Sequence, residues 1–150
     1  MPAISVWGPP TWTMLHILAE KINEADYPRL SAQLFGLIKR ICAVLPCPEC
    51  SQHSMTFLNT IKPSNISTKR DLINVLYVFH NMVNVKKKKP LFNYGNMGRY
   101  KQISIQQAYR NFISVYNTRG NMKMLAETFQ RQIVVRDLRT WLNTHRLSFS

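Results

Sequence analysis

Two cysteines, separated by two residues, stand where one predicted helix ends and the next begins. The segment Cys47-Pro48-Glu49-Cys50 follows Leu45-Pro46 and precedes a run compatible with a helix. Proline interrupts a helix from within but fits the first turn of a new one. The pair therefore lies at a helix N-terminus, where the helix dipole and free N–H groups stabilise a thiolate. Such a junction is suited to closing a disulfide or holding a metal.

Apolar residues recur at helical spacing through most of the chain. Between residues 30 and 41, leucines and isoleucines form one stripe, with Lys39 and Arg40 outside it. The predicted helices run from near Pro10 or Thr11 to about residue 22, then over about 28–44, 48–60, 69–87, 104–116 and 122–143. Residues 133–135 taken alone could instead form a short strand. The pattern predicts an all-α fold, a four-helix bundle with an additional C-terminal helical extension.

Basic side chains dominate the composition. The 150 residues include 20 Lys+Arg and 7 Asp+Glu, a formal net charge of +13. This charge favours contact with nucleic acid, anionic membrane or acidic partners and says nothing about fold. The length and the 45% of hydrophobic residues predict a single folded domain. No secretory signal and no apolar run of membrane-spanning length is visible, so the sequence predicts a soluble, cytoplasmic protein.

The cysteine pair has several chemical interpretations. Cys47 and Cys50 can close a disulfide, as dithiol redox enzymes do. They could instead form part of a zinc site with His53, or be an incidental pair of core cysteines. A structural zinc ion needs four ligands, so His16 or His80 would have to be recruited, because no second Cys-x-x-Cys or His-x3-His pair is present. The sequence favours redox chemistry and predicts no metal.

Histidines recur at matching positions in two predicted helices. His16 lies four residues after Trp12, so the two rings share one helix face. His80 and Asn84 repeat the spacing just before the four lysines of residues 86–89. An aromatic wall, imidazoles, an amide and a cation cluster suit a ligand with a flat heterocycle and phosphates. Any one of these residues is more simply explained by core packing or a solvated helix end, but the set together is not.

Three motifs in this order resemble a known enzyme family. Trp-Gly-Pro-x-x-Trp-x3-His begins at Trp7, and Cys-x-x-Cys-x2-His begins at Cys47. His-Asn-x-Val-Asn, followed by lysines and a proline, begins at His80. Together they resemble the Erv/ALR family of FAD-dependent sulfhydryl oxidases over residues 7–94. The opening Trp-Gly-Pro is similar to members from large cytoplasmic DNA viruses such as poxviruses, asfarviruses and iridoviruses.

The resemblance implies a four-helix bundle that holds FAD and usually forms a homodimer. It implies that Cys50 lies beside the flavin ring and that Cys47 is the sulfur attacked by substrate thiolates. Electrons from thiol-containing substrate proteins, or from a partner redox protein, would then pass through FAD to molecular oxygen and give hydrogen peroxide. The positions that match flavin-contacting residues are Gly8, Trp12, His16, His53, His80, Asn81 and Asn84, with Lys88 or Lys89 beside the phosphates.

The sequence departs from the family outside these motifs. Residues 1–97 correspond to the oxidase domain, and residues 98–150 form a basic helical extension expected to pack on it. The second cysteine pair of many cellular members is missing, and Cys42 has no evident partner. In the extension, aromatic residues alternate with arginines, a pattern that favours packed aromatics and solvated arginines over contact with nucleic acid or a virion partner. The arginines concerned are Arg110, Arg119, Arg131 and Arg139.

The sequence as a whole predicts a viral, all-α, FAD-linked thiol oxidase that forms disulfide bonds in other proteins. Two other functions stay open. One is a basic helical module that binds nucleic acid or virion components, with a structural or zinc-binding cysteine pair. The other is a flavin-free dithiol reductase or isomerase, although the alternating strands and helices of a thioredoxin fold are missing.

Overall fold

A computed structural model describes residues 3–117 and 125–150, and in this part the chain is helical. The α-helices are α1 (Ile4–Lys21), α2 (Tyr27–Ala43), α3 (Pro48–Leu58), α4 (Lys69–Lys86), α5 (Ile105–Tyr116) and α6 (Leu125–Thr144). Short 3-10 helices cover Pro63–Ile66, Tyr94–Gln102 and Arg146–Ser148. Extended pairing in these residues is limited to one isolated antiparallel bridge between Ile22 and Phe149. The predicted all-α fold is confirmed.

The first helix begins well before its predicted start. It starts at Ile4 and contains Pro9 and Pro10, whereas the sequence placed the start near Pro10 or Thr11. Each proline lacks the N–H that would bond the carbonyl four residues earlier. Those carbonyls belong to Ser5 and Val6, which are exposed, so water can take the place of the missing donors. Two prolines near an exposed first turn therefore do not end the helix.

The remaining helix limits agree with the sequence to within a few residues. Residues 133–135 lie inside α6, so the alternative of a short strand is wrong. Val134 and Leu138 of α6 are buried one turn apart, which is the spacing of a helix face. The predicted start of this helix at Met122 lies outside the described residues. None of the helices in 3–117 and 125–150 has the length and hydrophobicity needed to span a bilayer.

Helix α1 occupies the centre of the fold. All residues from Met14 to Glu20 are buried, and a helix buried on every side must have neighbours on every side. It packs against α4 and α5, while α2 packs against α3 and α6. Tyr100, Phe112 and Tyr116 belong to the same hydrophobic core as α1 and α2. The division at residue 97 stays a sequence-based prediction, and one continuous core extends across it.

The arginines of the C-terminal segment do not share one environment. Arg110 and Arg139 are exposed, as expected for solvated side chains. Arg131 is fully buried, so the expectation of a solvated side chain is wrong at this position. Its guanidinium is held by main-chain carbonyls, which compensate its removal from water. Arg119 lies outside the described residues, and the aromatic Phe129 is exposed rather than packed.

A capping box begins α4, and a left-handed turn within the lysine run follows its end. Thr68 caps the N-terminus by accepting a hydrogen bond from the Asp71 N–H, and the Asp71 carboxylate accepts one from the Thr68 N–H. The helix ends at Lys86, and Lys88 adopts a left-handed conformation with φ of 58°. The Lys89 N–H then donates to the Asn84 carbonyl at 2.8 Å. This turn places consecutive lysines in different directions.

Candidate functional site

A cavity of about 500 Å³ lies among α1, α2, α3 and α4. This volume is within the range of small-molecule sites. The segment from Phe92 to Ile103 closes its remaining side. The predicted site residues that line it are Gly8, Trp12, Cys50, His53, His80, Asn84 and Lys89. The structure therefore brings most of the predicted cofactor residues to one enclosure.

Cys47 and Cys50 form a disulfide at the N-terminus of α3. Cys47 is the N-cap residue, and its sulfur accepts a hydrogen bond from the Cys50 N–H at 3.2 Å. Both side chains are partly exposed. Cys50 borders the cavity, and Cys47 is not among the residues that line it. The two sulfurs thus differ in their surroundings, one beside the enclosed space and one away from it.

Stacked rings form one wall of the site. The His80 ring lies on the Trp12 indole with centroids 4.0 Å apart and planes 6° from parallel. His16 stacks on Tyr100 at 4.6 Å, and Phe92 lies 5.8 Å from His80. These rings come from α1, α4 and the segment after α4. They give a flat, mostly apolar surface on which a planar heterocycle can stack.

The two histidines are joined by a hydrogen bond. His16 Nε2 and His80 Nδ1 are 2.9 Å apart, so one ring donates to the other. Burial, followed by the His80 charge, lowers the pKa of His16 to about 3. Burial, followed by the Lys89 charge, lowers the pKa of His80 to about 4. Both rings are therefore neutral near pH 7. His16 Nδ1 is buried and has no partner within the part of the chain that the structure describes.

The cations at the cavity outnumber any opposing charge. Lys86, Lys87 and Lys89 line it, whereas Lys88, which has the left-handed conformation, is not among the lining residues. Arg99 adds a further cation, which the sequence analysis missed. No acidic side chain is among the described residues of the lining. An arrangement of cations without carboxylates favours an anionic group such as a phosphate.

Two predicted site residues lie behind the wall rather than on it. His16 supports His80 through the hydrogen bond between their rings. Asn81 holds the chain at Phe92 from both sides, since its Nδ2 donates to the Phe92 carbonyl at 3.0 Å and its Oδ1 accepts from the Phe92 N–H at 2.7 Å. Asn84 Nδ2 donates to Asn81 Oδ1 at 3.2 Å. These amides fix the ring of Phe92 beside the histidines.

Gly8 lines the cavity without being required there by protein packing. A Cβ added at Gly8 would meet Ile4 Cγ2 at 3.5 Å, an ordinary contact. A side chain at this position would instead enter space beside the cavity. Its predicted role therefore depends on what occupies the cavity, and the protein alone does not demand a glycine.

Several lining residues were not foreseen from the sequence. The Trp7 indole borders the cavity, and its buried N–H has no acceptor in the described residues. Cys42 also borders it, and burial raises the pKa of its thiol to about 12. Arg99 and Tyr100 come from beyond the motifs, where an adjacent cation and aromatic residue were the only available signal. Within residues 3–117 and 125–150, no three or more His, Cys, Asp or Glu side chains converge in a way that could hold a metal ion.

Sequence comparisons match this chain to one family. A profile of the Erv1 / Alr family matches residues 9–107. The chain is 33% identical over 88 residues to a putative FAD-linked sulfhydryl oxidase of Invertebrate iridescent virus 3, covering 57% of this chain and 58% of that protein. It is 28% identical over 97 residues to an FAD-linked sulfhydryl oxidase of African swine fever virus, covering 65% and 78%. A probable FAD-linked sulfhydryl oxidase of Fowlpox virus is 33% identical over 73 residues, covering 49% and 68%. No solved structure gives a significant match.

The lowered pKa values of the two histidines predict a loss of stability in mild acid. The unfolded chain takes up protons below about pH 6.5, whereas the buried rings stay neutral until about pH 4 and pH 3. The contribution of these two neutral rings to the free energy of unfolding is therefore fully present above about pH 6.5, and it is lost as the pH falls. For His16 the loss between pH 7 and pH 5 is about 2 kcal/mol. Urea unfolding at both pH values should show a smaller loss for His16→Gln than for the wild type.

The matched control is His145→Gln, because His145 does not line the cavity and packs on Trp141 near the C-terminus. This variant should keep the pH dependence of the wild type. An unchanged pH dependence in His16→Gln would show that His16 is not held neutral by its surroundings.

Proposed function

This chain belongs to the Erv1 / Alr family, and we propose that it is an FAD-linked thiol oxidase that forms disulfide bonds in substrate proteins. The observation that carries the proposal is the position of Cys50, which joins a helix-terminal disulfide to a cavity with stacked rings and cations. Relatives named as FAD-linked sulfhydryl oxidases support it. The chain covers 58% of the length of the iridescent virus protein, so the activity of the complete relative is proposed for this chain and not assumed.

The residues of the cavity fit FAD by their chemistry. The wall made by Trp12 and His80 suits stacking of a flavin ring, and Lys89 with its neighbouring cations suits the diphosphate. The buried Trp7 N–H supplies a donor that has no acceptor among the residues the structure describes. Gly8, His53 and Asn84 complete the residues that would hold the cofactor, with His16 and Asn81 supporting them from behind. Lys88 is not proposed as a contact, because its side chain is not in the lining.

Thiol–disulfide exchange between the cysteine pair and two substrate thiols conserves atoms and electrons. A substrate thiolate attacks Cys47, a bond forms to its sulfur, and the bond to Cys50 breaks to leave Cys50 as a thiolate. A second substrate thiolate then attacks the mixed disulfide and leaves with the first as a disulfide. Two substrate thiols have lost two electrons and two protons, and Cys47 and Cys50 have gained the electrons. FAD, when bound, supplies the two-electron acceptor that restores the disulfide and passes the electrons to oxygen, giving hydrogen peroxide.

The protein contributes the position and the surroundings of the cysteine pair to this chemistry. The N-terminus of α3 favours negative charge on the sulfur of Cys47, because Cys47 is the N-cap residue and its sulfur accepts a hydrogen bond from the Cys50 N–H. The ring wall adds apolar surface to the same cavity that Cys50 borders. Thiol-bearing substrate proteins, or a partner redox protein, would approach from the side of Cys47. The relatives are proteins of viruses, which supports a viral origin. Action in the host cytoplasm stays a prediction from the sequence.

We expect a homodimer, because α4 presents an apolar stripe to solvent. Val78, Met82 and Val85 recur at helical spacing and are 52%, 38% and 65% exposed. Sedimentation equilibrium should give about twice the chain mass of 17.5 kDa. Met82→Glu should give the monomer, and Lys62→Glu, in an exposed loop, should not. A monomeric wild type would contradict the dimer without affecting the redox proposal.

The function is tested by the visible spectrum of purified protein before and after anaerobic dithiothreitol. Flavin bands should bleach in the wild type and return with air, because electrons pass through Cys47 and Cys50. Cys50→Ser should retain the bands and lose at least about 100-fold in the rate of oxygen consumption, since the cavity-side sulfur is missing. Equal flavin content in the two proteins is the control. A wild type that binds no FAD on reconstitution, or a Cys50→Ser protein that turns over normally, would exclude the proposal.

The location of the cofactor is tested by replacing His80. His80→Ala removes a ring stacked on Trp12 and the partner of His16, so flavin occupancy and the melting temperature should fall together. Val78→Ala, on the exposed face of the same helix, is the matched control and should keep wild-type occupancy. Unchanged occupancy in His80→Ala would show that the flavin binds elsewhere.

A further inference from the structure

Arg131 is a fully buried cation in the middle of α6. Its Nη1 donates to the carbonyl of Val44 at 3.1 Å and to that of Leu45 at 3.5 Å. Its Nη2 lies 3.4 Å from Thr128 Oγ1. Its Nε is buried without a partner among the described residues, so the contacts of Nη1 and Nη2 carry the compensation for burying the guanidinium. The buried position of this side chain therefore depends on the segment that follows α2.

The partner of this cation is a helix end rather than a carboxylate. The ion pairs in the part of the chain that the structure describes involve Arg29, Arg40 and Arg136, and none involves Arg131. Val44 is the C-cap residue of α2, so the guanidinium sits at the negative end of the helix dipole. The Tyr116 hydroxyl, from α5, donates to the Ile41 carbonyl at 3.0 Å. Two helices from the C-terminal segment thus satisfy the last carbonyls of α2.

The peptide at Leu45 is held from both sides. Its N–H donates to Ser51 Oγ of α3 at 2.8 Å, and its carbonyl accepts from Arg131 of α6. Ser51 in turn donates its N–H to the Cys47 carbonyl at 3.0 Å. Leu45 precedes Cys47 by two residues and borders the cavity beside Cys50. The connection that carries the disulfide is therefore fixed between α3 and α6.

We propose that Arg131 is a positioning residue for the Cys47–Cys50 disulfide. By holding the carbonyls of Val44 and Leu45, it fixes the connection so that the two thiols of the reduced pair stay close and the disulfide is favoured. The inference rests on the proposed function only in taking this pair as redox-active. It assigns a role in that function to α6, which lies outside the residues 9–107 that match the family.

A positioning role and an electrostatic role of Arg131 predict opposite shifts of the disulfide–dithiol equilibrium when the side chain is removed. If the side chain acts by holding the connection, its loss frees Cys47 and Cys50 to separate when reduced, and the equilibrium shifts toward the dithiol. The guanidinium also lies on the order of 10 Å from Cys47, judged from the length of two residues. If it acted as a charge, its loss would destabilise the thiolates and shift the equilibrium toward the disulfide. The direction of the shift therefore separates the two explanations.

The test is the equilibrium of the purified full chain with glutathione, in which one protein disulfide and two glutathione thiols give the protein dithiol and one glutathione disulfide. Trapping with an alkylating reagent and mass spectrometry measures the fraction reduced. Arg131→Met should shift the equilibrium constant about five- to tenfold toward the dithiol, where tenfold corresponds to about 30 mV. Arg131→Lys should shift it less in the same direction, because an ammonium can reach a carbonyl without the planar fork.

Val134→Ala is the matched control, since Val134 is buried in the same helix but makes no hydrogen bond to the connection. It should lower the melting temperature and leave the glutathione equilibrium at its wild-type value. A wild-type equilibrium in both Arg131 variants, an equal shift in Val134→Ala, or a shift toward the disulfide would each overturn the positioning role. Arg131→Lys keeps the test open if Arg131→Met does not fold. The equilibrium is reached under anaerobic conditions, with equal flavin content in all variants, and its readout is the cysteine pair alone. Its failure is therefore distinct from a failure of the oxidase proposal.

Discussion

The contact between His80 and Trp12 joins α4 to α1 at the point where the cavity forms. His80 stacks on Trp12 at 4.0 Å and shares a hydrogen bond with His16, and burial keeps both imidazoles neutral by lowering their pKa values. The next residue, Asn81, holds the main chain at Phe92, and that segment carries Arg99 and Tyr100 to the cavity. One turn of α4 therefore determines the ring wall, the closing segment and one of the cations.

Local patterns were sufficient to predict the helices and the residues that lie on them. The cysteine pair was correctly placed at the start of α3 because Pro46 and Pro48 act on their immediate neighbours. The same proline rule gave the wrong start for α1, since it cannot show that the residues whose carbonyls lose a donor, Ser5 and Val6, are exposed. The register of the lysines depended on the left-handed turn at Lys88, which no residue type in that run signals. The buried state of Arg131 depended on carbonyls more than eighty positions earlier in the chain, and periodicity contains no information about such a contact.

The large positive charge has at least two separate uses within the folded chain. Lys86, Lys87, Lys89 and Arg99 face a cavity whose described lining holds no carboxylate, and there they favour an anionic ligand. Arg131 instead compensates the C-terminal end of α2 and is withdrawn from solvent. Charge counted from composition treats all these residues alike, although only the exposed ones could meet a nucleic acid. The structure thus removes Arg131 from the argument from net charge to nucleic-acid binding, because this side chain is buried against main-chain carbonyls.

The arrangement of the three cysteines restricts the path of electrons. Cys42 borders the same cavity as Cys50, but burial raises the pKa of its thiol to about 12, which disfavours the thiolate needed for exchange. Cys50 borders the cavity and Cys47 does not, so the disulfide joins two different surroundings. In the proposed mechanism, electrons from a substrate enter the cavity through this bond. The connection from Leu45 to Cys47, which carries the bond, is held by contacts from both α3 and α6.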